Sequence, residues 1–237
     1  MRRVGLAGIL MSLLAVGHLA AVPAPAAGPM PQAMQGVTDI DAHQAEGQKS
    51  APIIMEVFSD YQCPACKSLY TSTDRLLVDN YVNTGKVYLI HRDYPLPMHA
   101  YSRVAARYAR AAAQLGKLQP VAQALFQNQE KWEASGDVDG TVASVLSAGE
   151  MAKVRALVKG GTMDPLIDKD YALGTIYHVN QTPTTIIHAN ARTIVLSSYR
   201  NLQRKLLLRK VWGHSHPPRL NTTLIVVSTS TGSPLRR

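Results

Sequence analysis

Cysteine is scarce in this chain, whose 237 residues contain two. Two cysteines cannot form the several bridges of a disulfide-stapled scaffold. They also cannot complete a four-cysteine zinc site, because no second pair is present. The sequence shows no internal repeat and no nucleotide, flavin or haem signature, so we expect no cofactor. His91, His99, His178 and His188 lack metal-ligand spacing, and we therefore expect no metal.

Acidic residues are missing from residues 189–237, which hold nine Arg or Lys residues. Residues 1–188 contain 16 Lys+Arg and 16 Asp+Glu, so the formal net charge of +9 belongs to the C-terminal segment. Nucleic-acid binders combine a basic patch with a recognised fold motif or with interleaved aromatic side chains. This segment has neither, and we expect no nucleic-acid partner.

Long apolar runs are confined to the N-terminus. Met1-Arg2-Arg3 is positively charged, an apolar run spans Val4 to about Val22, and Ala24-Pro25-Ala26 supplies an A-x-A pattern. This order is typical of a secretory signal peptide, so we expect residues 1–26 to be removed and the protein to be periplasmic or secreted. Without cleavage the run would anchor the protein in a membrane. No other stretch approaches the ~20 apolar residues of a membrane span.

The region that follows predicts a strand–helix–strand unit. Residues 27–50 are rich in Pro, Ala, Gln and Gly and indicate a flexible lead-in. Ile53 to Phe58 is a short, β-prone apolar run that contains one acid, Glu56. Apolar residues then recur at helical spacing to about Tyr81, and Val87 to His91 predicts a second strand. This order is typical of a parallel sheet with a crossover helix.

Helical patterns dominate the rest of the chain up to about residue 178. Four helices are predicted, over Tyr101–Leu115, Val121–Trp132, Val142–Val158 and Pro165–Tyr177. Two β-branched runs, Thr184–His188 and Thr193–Leu196, then predict a hairpin, followed by a basic helix over Tyr199 to about Val211.

The chemistry concentrates in Cys63-Pro64-Ala65-Cys66. Two cysteines at i and i+3 in a first helical turn can close a disulfide with little rearrangement. The first lies where free N–H groups and the helix dipole favour a thiolate, a ready nucleophile and a good leaving group. Pro64 suits the first helical position, which needs no N–H. The pattern indicates redox chemistry rather than half a metal site or a purely structural disulfide.

Three segments resemble the DsbA-like branch of the thioredoxin superfamily. The first runs from Glu56 to Cys66. The second is His91-Arg92-Asp93-Tyr94-Pro95-Leu96, which is followed by His99 and by Ala-rich helices. The third is Thr182-Pro183-Thr184. Together they cover roughly residues 51–188 in the family order. The resemblance implies an α/β class, thioredoxin-like fold over residues 51–211, with an inserted all-helical domain at about residues 97–176. It also implies thiol–disulfide exchange on exported proteins.

The resemblance implies roles for three residues on or near the first strand. Cys63 would be the attacking and leaving sulfur, and Cys66 would be the buried thiol that resolves the mixed disulfide. Glu56 would be a buried acid beneath the site, with a raised pKa, that exchanges a proton with Cys66. The alternative for Glu56 is a partly exposed residue of an edge strand.

A second set of residues would contact the substrate. The resemblance implies that Pro183 is a cis-proline facing the cysteine pair and that the backbone of Thr182 pairs with an extended substrate segment. The alternative is an ordinary proline that begins a strand. Pro64 and Ala65, between the cysteines, complete the expected substrate-binding surface.

The direction of electron flow depends on how strongly the reduced state is stabilised. The two residues between the cysteines are Pro64 and Ala65, whereas the most oxidising members of the family have a histidine there. This difference argues against a very high reduction potential. Residues 27–50 are too short for the dimerisation domain usual in isomerases. The helical insertion and the exported context favour an oxidase, which would act on reduced or misoxidised exported proteins and be reset by a membrane or periplasmic redox partner. A reductase, an isomerase and a chaperone-like peptide-binding module with a structural disulfide remain alternatives.

The C-terminal segment departs from the family pattern. Relatives close with an amphipathic helix that carries both signs of charge, whereas residues 199–211 carry only positive charge. Residues 212–237 have no counterpart and predict an atypical basic tail. Two hypotheses stand: the reading frame changes after about His188 and leaves non-native sequence, or the tail is native and binds membrane phospholipid or an acidic partner.

Overall fold

A five-stranded mixed sheet forms the centre of the computed structural model, which describes residue 37, residues 40–189 and residues 192–196. Its strands are β1 (Ala45–Glu46), β2 (Ile53–Ser59), β3 (Val87–Asp93), β4 (Thr184–Ala189) and β5 (Arg192–Leu196). Their order across the sheet is β1-β3-β2-β4-β5. β2 and β3 are parallel, and the other neighbouring pairs are antiparallel. The parallel pair and the β4–β5 hairpin predicted from the sequence are therefore confirmed.

The helix that joins β2 to β3 begins directly after the first cysteine. It consists of α1 (Pro64–Leu69), a π-helical stretch Tyr70–Asp74, α2 (Arg75–Leu77) and a second π-helical stretch Val78–Val82. Leu69 and Leu77 pack with Met55, Val57 and Leu89 on one face of the sheet. The helix predicted to about Tyr81 is thus confirmed.

Six helices lie between β3 and β4 and form the helical insertion. They are α3 (Ser102–Ala113), α4 (Leu118–Gln127), α5 (Gln129–Ser135), α6 (Val138–Ala143), α7 (Ala148–Lys159) and α8 (Asp164–Ile176). Their shared core combines buried alanines of α3 with larger side chains such as Leu125 and Trp132, so the small residues let neighbouring helices approach closely.

Two segments predicted as single helices are each two helices. The segment Val121–Trp132 divides at Asn128, where α4 ends and α5 begins. α4 starts earlier than predicted, at Leu118, with Pro120 in its first turn. Proline is tolerated there because the N–H groups of a first turn have no partner within the helix.

The second division has a signal in the sequence. Within the segment Val142–Val158, the Ser147 side chain accepts from the Glu150 N–H at 3.3 Å. The Glu150 carboxylate in turn accepts from the Ser147 N–H at 2.9 Å. This capping box satisfies two backbone donors and begins a new helix, α7.

The sequence predicts a flexible lead-in over residues 27–50, but the folded region begins within it. Ala42–Gln44 forms a 3₁₀ helix that Asp41 caps. Ala45 and Glu46 then pair with Ile90 and Leu89 of β3. The expectation is therefore corrected for residues 41–46, because pairing with β3 overrides their lack of a periodic pattern. The expected signal peptide (1–26), basic helix (199–211) and basic tail (212–237) lie outside the described residues.

Buried ion pairs join the insertion to the sheet. Arg92 on β3 contacts Glu56 at 2.6 Å and Asp170 at 3.0 Å. Arg110 on α3 contacts Asp93 at 2.7 Å and also contacts Asp170. Both arginine side chains are 2% exposed. We call these five residues the buried ion cluster.

The buried ion cluster holds three carboxylates against two guanidinium groups. Burial of the Asp170 side chain, together with the negative charge of Asp93, outweighs the two arginines and raises the pKa of Asp170 to about 6. One carboxylate of the cluster is therefore partly protonated in the mildly acidic range.

We expect the Asp170→Asn variant to lose part of the pH dependence of stability. Folding raises the pKa of Asp170 above its unfolded value of about 4, so the folded state binds this proton more tightly. The resulting stabilisation is present below about pH 4 and is lost as pH rises through about 6. Urea unfolding across this range should show a fall in the free energy of unfolding, on the order of 2 kcal/mol, that the variant lacks.

Asp168→Asn is the matched control, because Asp168 lies on the same helix with its side chain 63% exposed. It should keep the wild-type pH dependence. The same loss in both variants, or in neither, would contradict the assignment to Asp170.

Candidate active site

The sheet and the insertion meet at the turn that links β2 to α1. The N–H of Cys63 donates to the carbonyl of Asp60 at 3.1 Å, and the carbonyl of Cys63 accepts from the Lys67 N–H at 3.1 Å. Cys63 has extended backbone angles as the residue that precedes the helix, with Pro64 at the first helical position. The sequence prediction that the cysteines open a helix is confirmed.

The two sulfurs differ in depth. Both cysteines are free thiols. Cys66 is 1% exposed, and its Sγ accepts from the Asp60 N–H at 3.5 Å. Cys63 is 7% exposed, and its Sγ lies 3.3 Å from the carbonyl oxygen of Thr182. The outer sulfur therefore faces the loop before β4, while the inner one lies under the turn.

This difference in surroundings separates the acidities of the two thiols. A hydrogen bond from Cys66, together with contacts from Thr182 and the N–H groups of Cys66 and Ala65, lowers the pKa of Cys63 to about 6 against the opposing effect of burial. Burial, and then the neighbouring Cys63, raise the pKa of Cys66 well above its usual value. At neutral pH Cys63 is mainly a thiolate and Cys66 a thiol, an arrangement suited to nucleophilic attack by Cys63.

The residues expected to bind substrate surround Cys63. The peptide bond between Thr182 and Pro183 is cis, and both residues are buried. Pro64 is exposed and Ala65 is half-buried, so they form the outer surface of the first helical turn. The structure thus brings the cysteine pair and the cis-proline loop together.

Glu56 does not belong to this arrangement. It is completely buried, but it lies on the face of the sheet opposite the packed side chains of Val57 and Leu69. Its carboxylate accepts from Arg92 at 2.7 Å and contacts His188 at 2.8 Å, and it has no hydrogen bond to Cys66. This placement corrects both the proton-exchange role and the alternative of an exposed edge residue, and Glu56 is instead a member of the buried ion cluster.

Helix α5 contacts the cysteine turn on its other side. Gln129 Nε2 donates to the carbonyl of Tyr61 at 2.7 Å, and Gln62 Nε2 donates to Glu133 at 3.3 Å. Sequence reasoning missed these contacts, because they join residues about 70 positions apart and carry no local signal.

Two further features concern the described residues as a whole. None of their helices is both long enough and apolar enough to cross a membrane. Within the same residues, no group of three or more His, Cys, Asp or Glu side chains is placed to hold a metal ion.

A mixed sheet, an inserted helical domain and a Cys-x-x-Cys pair beside a cis-proline loop define a thioredoxin-like fold of the DsbA type. A family model described as thioredoxin matches residues 41–204, more than half of the chain. The chain therefore belongs to the thioredoxin family.

Two solved structures show the same fold. A thioredoxin-like oxidoreductase from Silicibacter pomeroyi is 22% identical with a TM-score of 0.56, over 72% of this chain and 94% of that one. Pseudomonas aeruginosa DsbA2 is 22% identical with a TM-score of 0.53, over 75% of this chain and 100% of that one.

A longer curated relative is similar to part of the chain. The Na(+)/H(+) antiporter NhaA 3 of Salinispora tropica is 30% identical over 133 residues, which are 52% of this chain and 20% of the antiporter. The chain thus spans about a fifth of the length of this relative.

We expect selective alkylation of Cys63. Because hydrogen bonds lower the pKa of Cys63 to about 6 and burial raises that of Cys66, iodoacetamide should modify one thiol per chain at neutral pH. The rate should rise with pH and level off above an inflection near 6, as measured by mass spectrometry. Cys63→Ser should abolish the fast reaction, whereas Cys66→Ala, which removes a hydrogen-bond donor to Cys63, should retain it with a higher inflection. Equal labelling of both cysteines would contradict this assignment.

Proposed function

We propose that the protein is an exported thiol–disulfide oxidoreductase that donates the Cys63–Cys66 disulfide to folding secreted proteins. The observation that carries the proposal is the asymmetry of the pair, with a stabilised Cys63 thiolate above a buried Cys66 thiol. A stabilised thiolate favours the reduced form of the enzyme, and a pair that prefers to be reduced is a good disulfide donor.

The reaction follows from the depth of the sulfurs. A substrate thiolate attacks Sγ of Cys63 in the oxidised enzyme, the Cys63–Cys66 bond breaks, and Cys66 leaves and takes up a proton. A second substrate thiolate then attacks the substrate sulfur of this mixed disulfide. The substrate gains a disulfide, Cys63 leaves as a thiolate, and the enzyme is left with two reduced cysteines. An oxidising redox partner must remove these two electrons before the next cycle.

The surroundings of Cys63 fit an extended polypeptide substrate. The cis-proline loop lies against the sulfur, and the backbone of Thr182 is placed beside it. Met98 and Tyr101, in the segment bonded to Gln62, are 80% and 37% exposed. An unfolded protein supplies both a backbone to pair with the loop and apolar side chains for this surface.

The export part of the proposal rests on residues 1–26, whose sequence is typical of a signal peptide. Expression of the full chain in a bacterial host, followed by N-terminal sequencing of the periplasmic fraction, tests it. A new N-terminus close to Ala27 supports export. An intact N-terminus in the cytosol would contradict it.

We expect the oxidised protein to speed disulfide formation in a reduced substrate such as unfolded ribonuclease A. Since Cys63 is stabilised as a thiolate but the motif lacks a histidine, its reduction potential should lie between about −270 mV, as in thioredoxin, and about −120 mV, as in the strongest donors. Equilibration with glutathione measures this value. A potential at or below that of thioredoxin would favour a reductase and overturn the donor role.

We expect Cys66→Ser to accumulate mixed disulfides through Cys63, because the resolving thiol is absent. These adducts should be visible on non-reducing gels of cell extracts and disappear with dithiothreitol. Cys63→Ser is the matched control and should accumulate none, since Cys66 is buried. Absence of adducts in both variants, with an undisturbed substrate-binding activity, would favour a chaperone-like module.

A further inference from the structure

The turn before Cys63 contains a buried carboxylate that the exchange reaction does not use directly. The side chain of Asp60 is 0% exposed. Its Oδ1 accepts from the Gln62 N–H at 2.7 Å and from the Ser102 hydroxyl at 2.5 Å. Its Oδ2 accepts from the Leu96 N–H at 2.8 Å and lies 2.7 Å from Nδ1 of His99. Among the described residues His99 is its one basic partner.

The backbone of the same residue contacts both cysteines. The N–H of Asp60 donates to Sγ of Cys66 at 3.5 Å, and its carbonyl accepts from the N–H of Cys63 at 3.1 Å. A buried carboxylate is costly unless donors satisfy it, so the position of Asp60 is determined by the groups that bond to it. Two of these groups, His99 and Ser102, lie at the start of the helical insertion.

His99 is the accessible member of this arrangement. Its side chain is 17% exposed and forms part of a surface cavity. The other charged or titratable groups that line this cavity are Arg103 on α3 and Asp168 and Tyr171 on α8. Arg103 is paired with Asp164 and Asp168, so its charge is compensated away from Asp60.

On the basis of the proposed function, we propose that Asp60 is a positioning residue for thiol–disulfide exchange and that His99 holds it in place. Together they position the turn whose backbone meets both cysteines. The start of the helical insertion thereby sets the nucleophilicity of Cys63.

Removal of His99 should make the Cys63 thiolate less stable. Oδ2 of Asp60 would keep one hydrogen-bond donor, the Leu96 N–H. The carboxylate would then bind a water molecule or move, and the turn before Cys63 would lose its fixed geometry. The contacts that stabilise the Cys63 thiolate depend on that turn and would weaken. The thiolate fraction of Cys63 would therefore fall.

The test measures the alkylation rate of Cys63 against pH in the full chain. His99→Ala should raise the inflection by about one pKa unit and slow alkylation about tenfold near pH 5, below both inflections. His99→Asn places an amide N–H where Nδ1 donates and should restore the wild-type profile. Ser102→Ala, which removes one donor from Oδ1, should shift the profile in the same direction as His99→Ala.

His91→Ala is the matched control. His91 forms a pair of the same length, 2.7 Å, with Glu46, and its side chain is 19% exposed. This variant should lose stability to urea as His99→Ala does, but keep the wild-type alkylation profile. An unshifted profile in His99→Ala, an equal shift in His91→Ala, or failure of His99→Asn to restore the rate would overturn the proposal.

The second readout is the equilibrium with glutathione. A less stable thiolate disfavours the reduced form, so His99→Ala should shift this equilibrium about tenfold toward the protein disulfide, about 30 mV for a two-electron couple. Alkylation needs no exchange partner and therefore separates the two proposals. If the wild-type protein shows the low inflection but catalyses no exchange, the proposed function alone is refuted. If exchange is normal but the alkylation inflection of His99→Ala is unshifted, the positioning role alone is refuted.

Discussion

The shared contact of Arg92 and Arg110 with Asp170 joins the helical insertion to the sheet. Arg92 comes from a central strand, Arg110 from the first helix of the insertion and Asp170 from the last, so three distant parts of the chain meet at one carboxylate. Charges removed from water are costly, and their mutual attraction offsets this only when the geometry is well satisfied. Such a cluster therefore adds little net stability, but loss of one partner would leave a buried charge without compensation.

The chemistry of the site depends on that arrangement. The two cysteines are one helical turn apart in a single element, yet their surroundings come from different sources. The outer sulfur faces the cis-proline loop, and the inner one lies beneath a turn held by the start of α3 and by α5. A small difference in depth is converted into a large difference in acidity because desolvation acts almost fully on one sulfur and hydrogen bonds act mainly on the other.

Much of the fold and of the cysteine site can be predicted from local sequence patterns. The β-branched strands, the helix opened by the cysteines and the position of Pro183 follow from residue types at short spacing. Glu56 shows the limit of such reasoning. Alternation along a strand shows that Glu56 and Val57 face opposite sides, but it does not show which side carries the cysteine helix. Only the packing of Leu69 on the Val57 side settles that question.

Asp60 shows a second limit. The sequence places it in the turn before Cys63, but its partners His99 and Ser102 follow about 40 residues later. Their importance arises from the tertiary contact alone, and a scattered histidine has no recognisable spacing. The capping box at Ser147 is a different case, because its signal is local and its two residues are visible in the sequence.

The short strand β1 bears on where a fragment of this protein can begin. The strand pattern first becomes evident near Ala51, but a fragment that starts there would lose β1 and Asp41. The outer edge of β3 would then present unpaired N–H and C=O groups, which invite edge-to-edge aggregation. Arg110 would also lose its contact with Asp41 at 3.2 Å. The shortest fragment that keeps the sheet edge covered therefore starts ahead of Asp41, about ten residues before the first long strand.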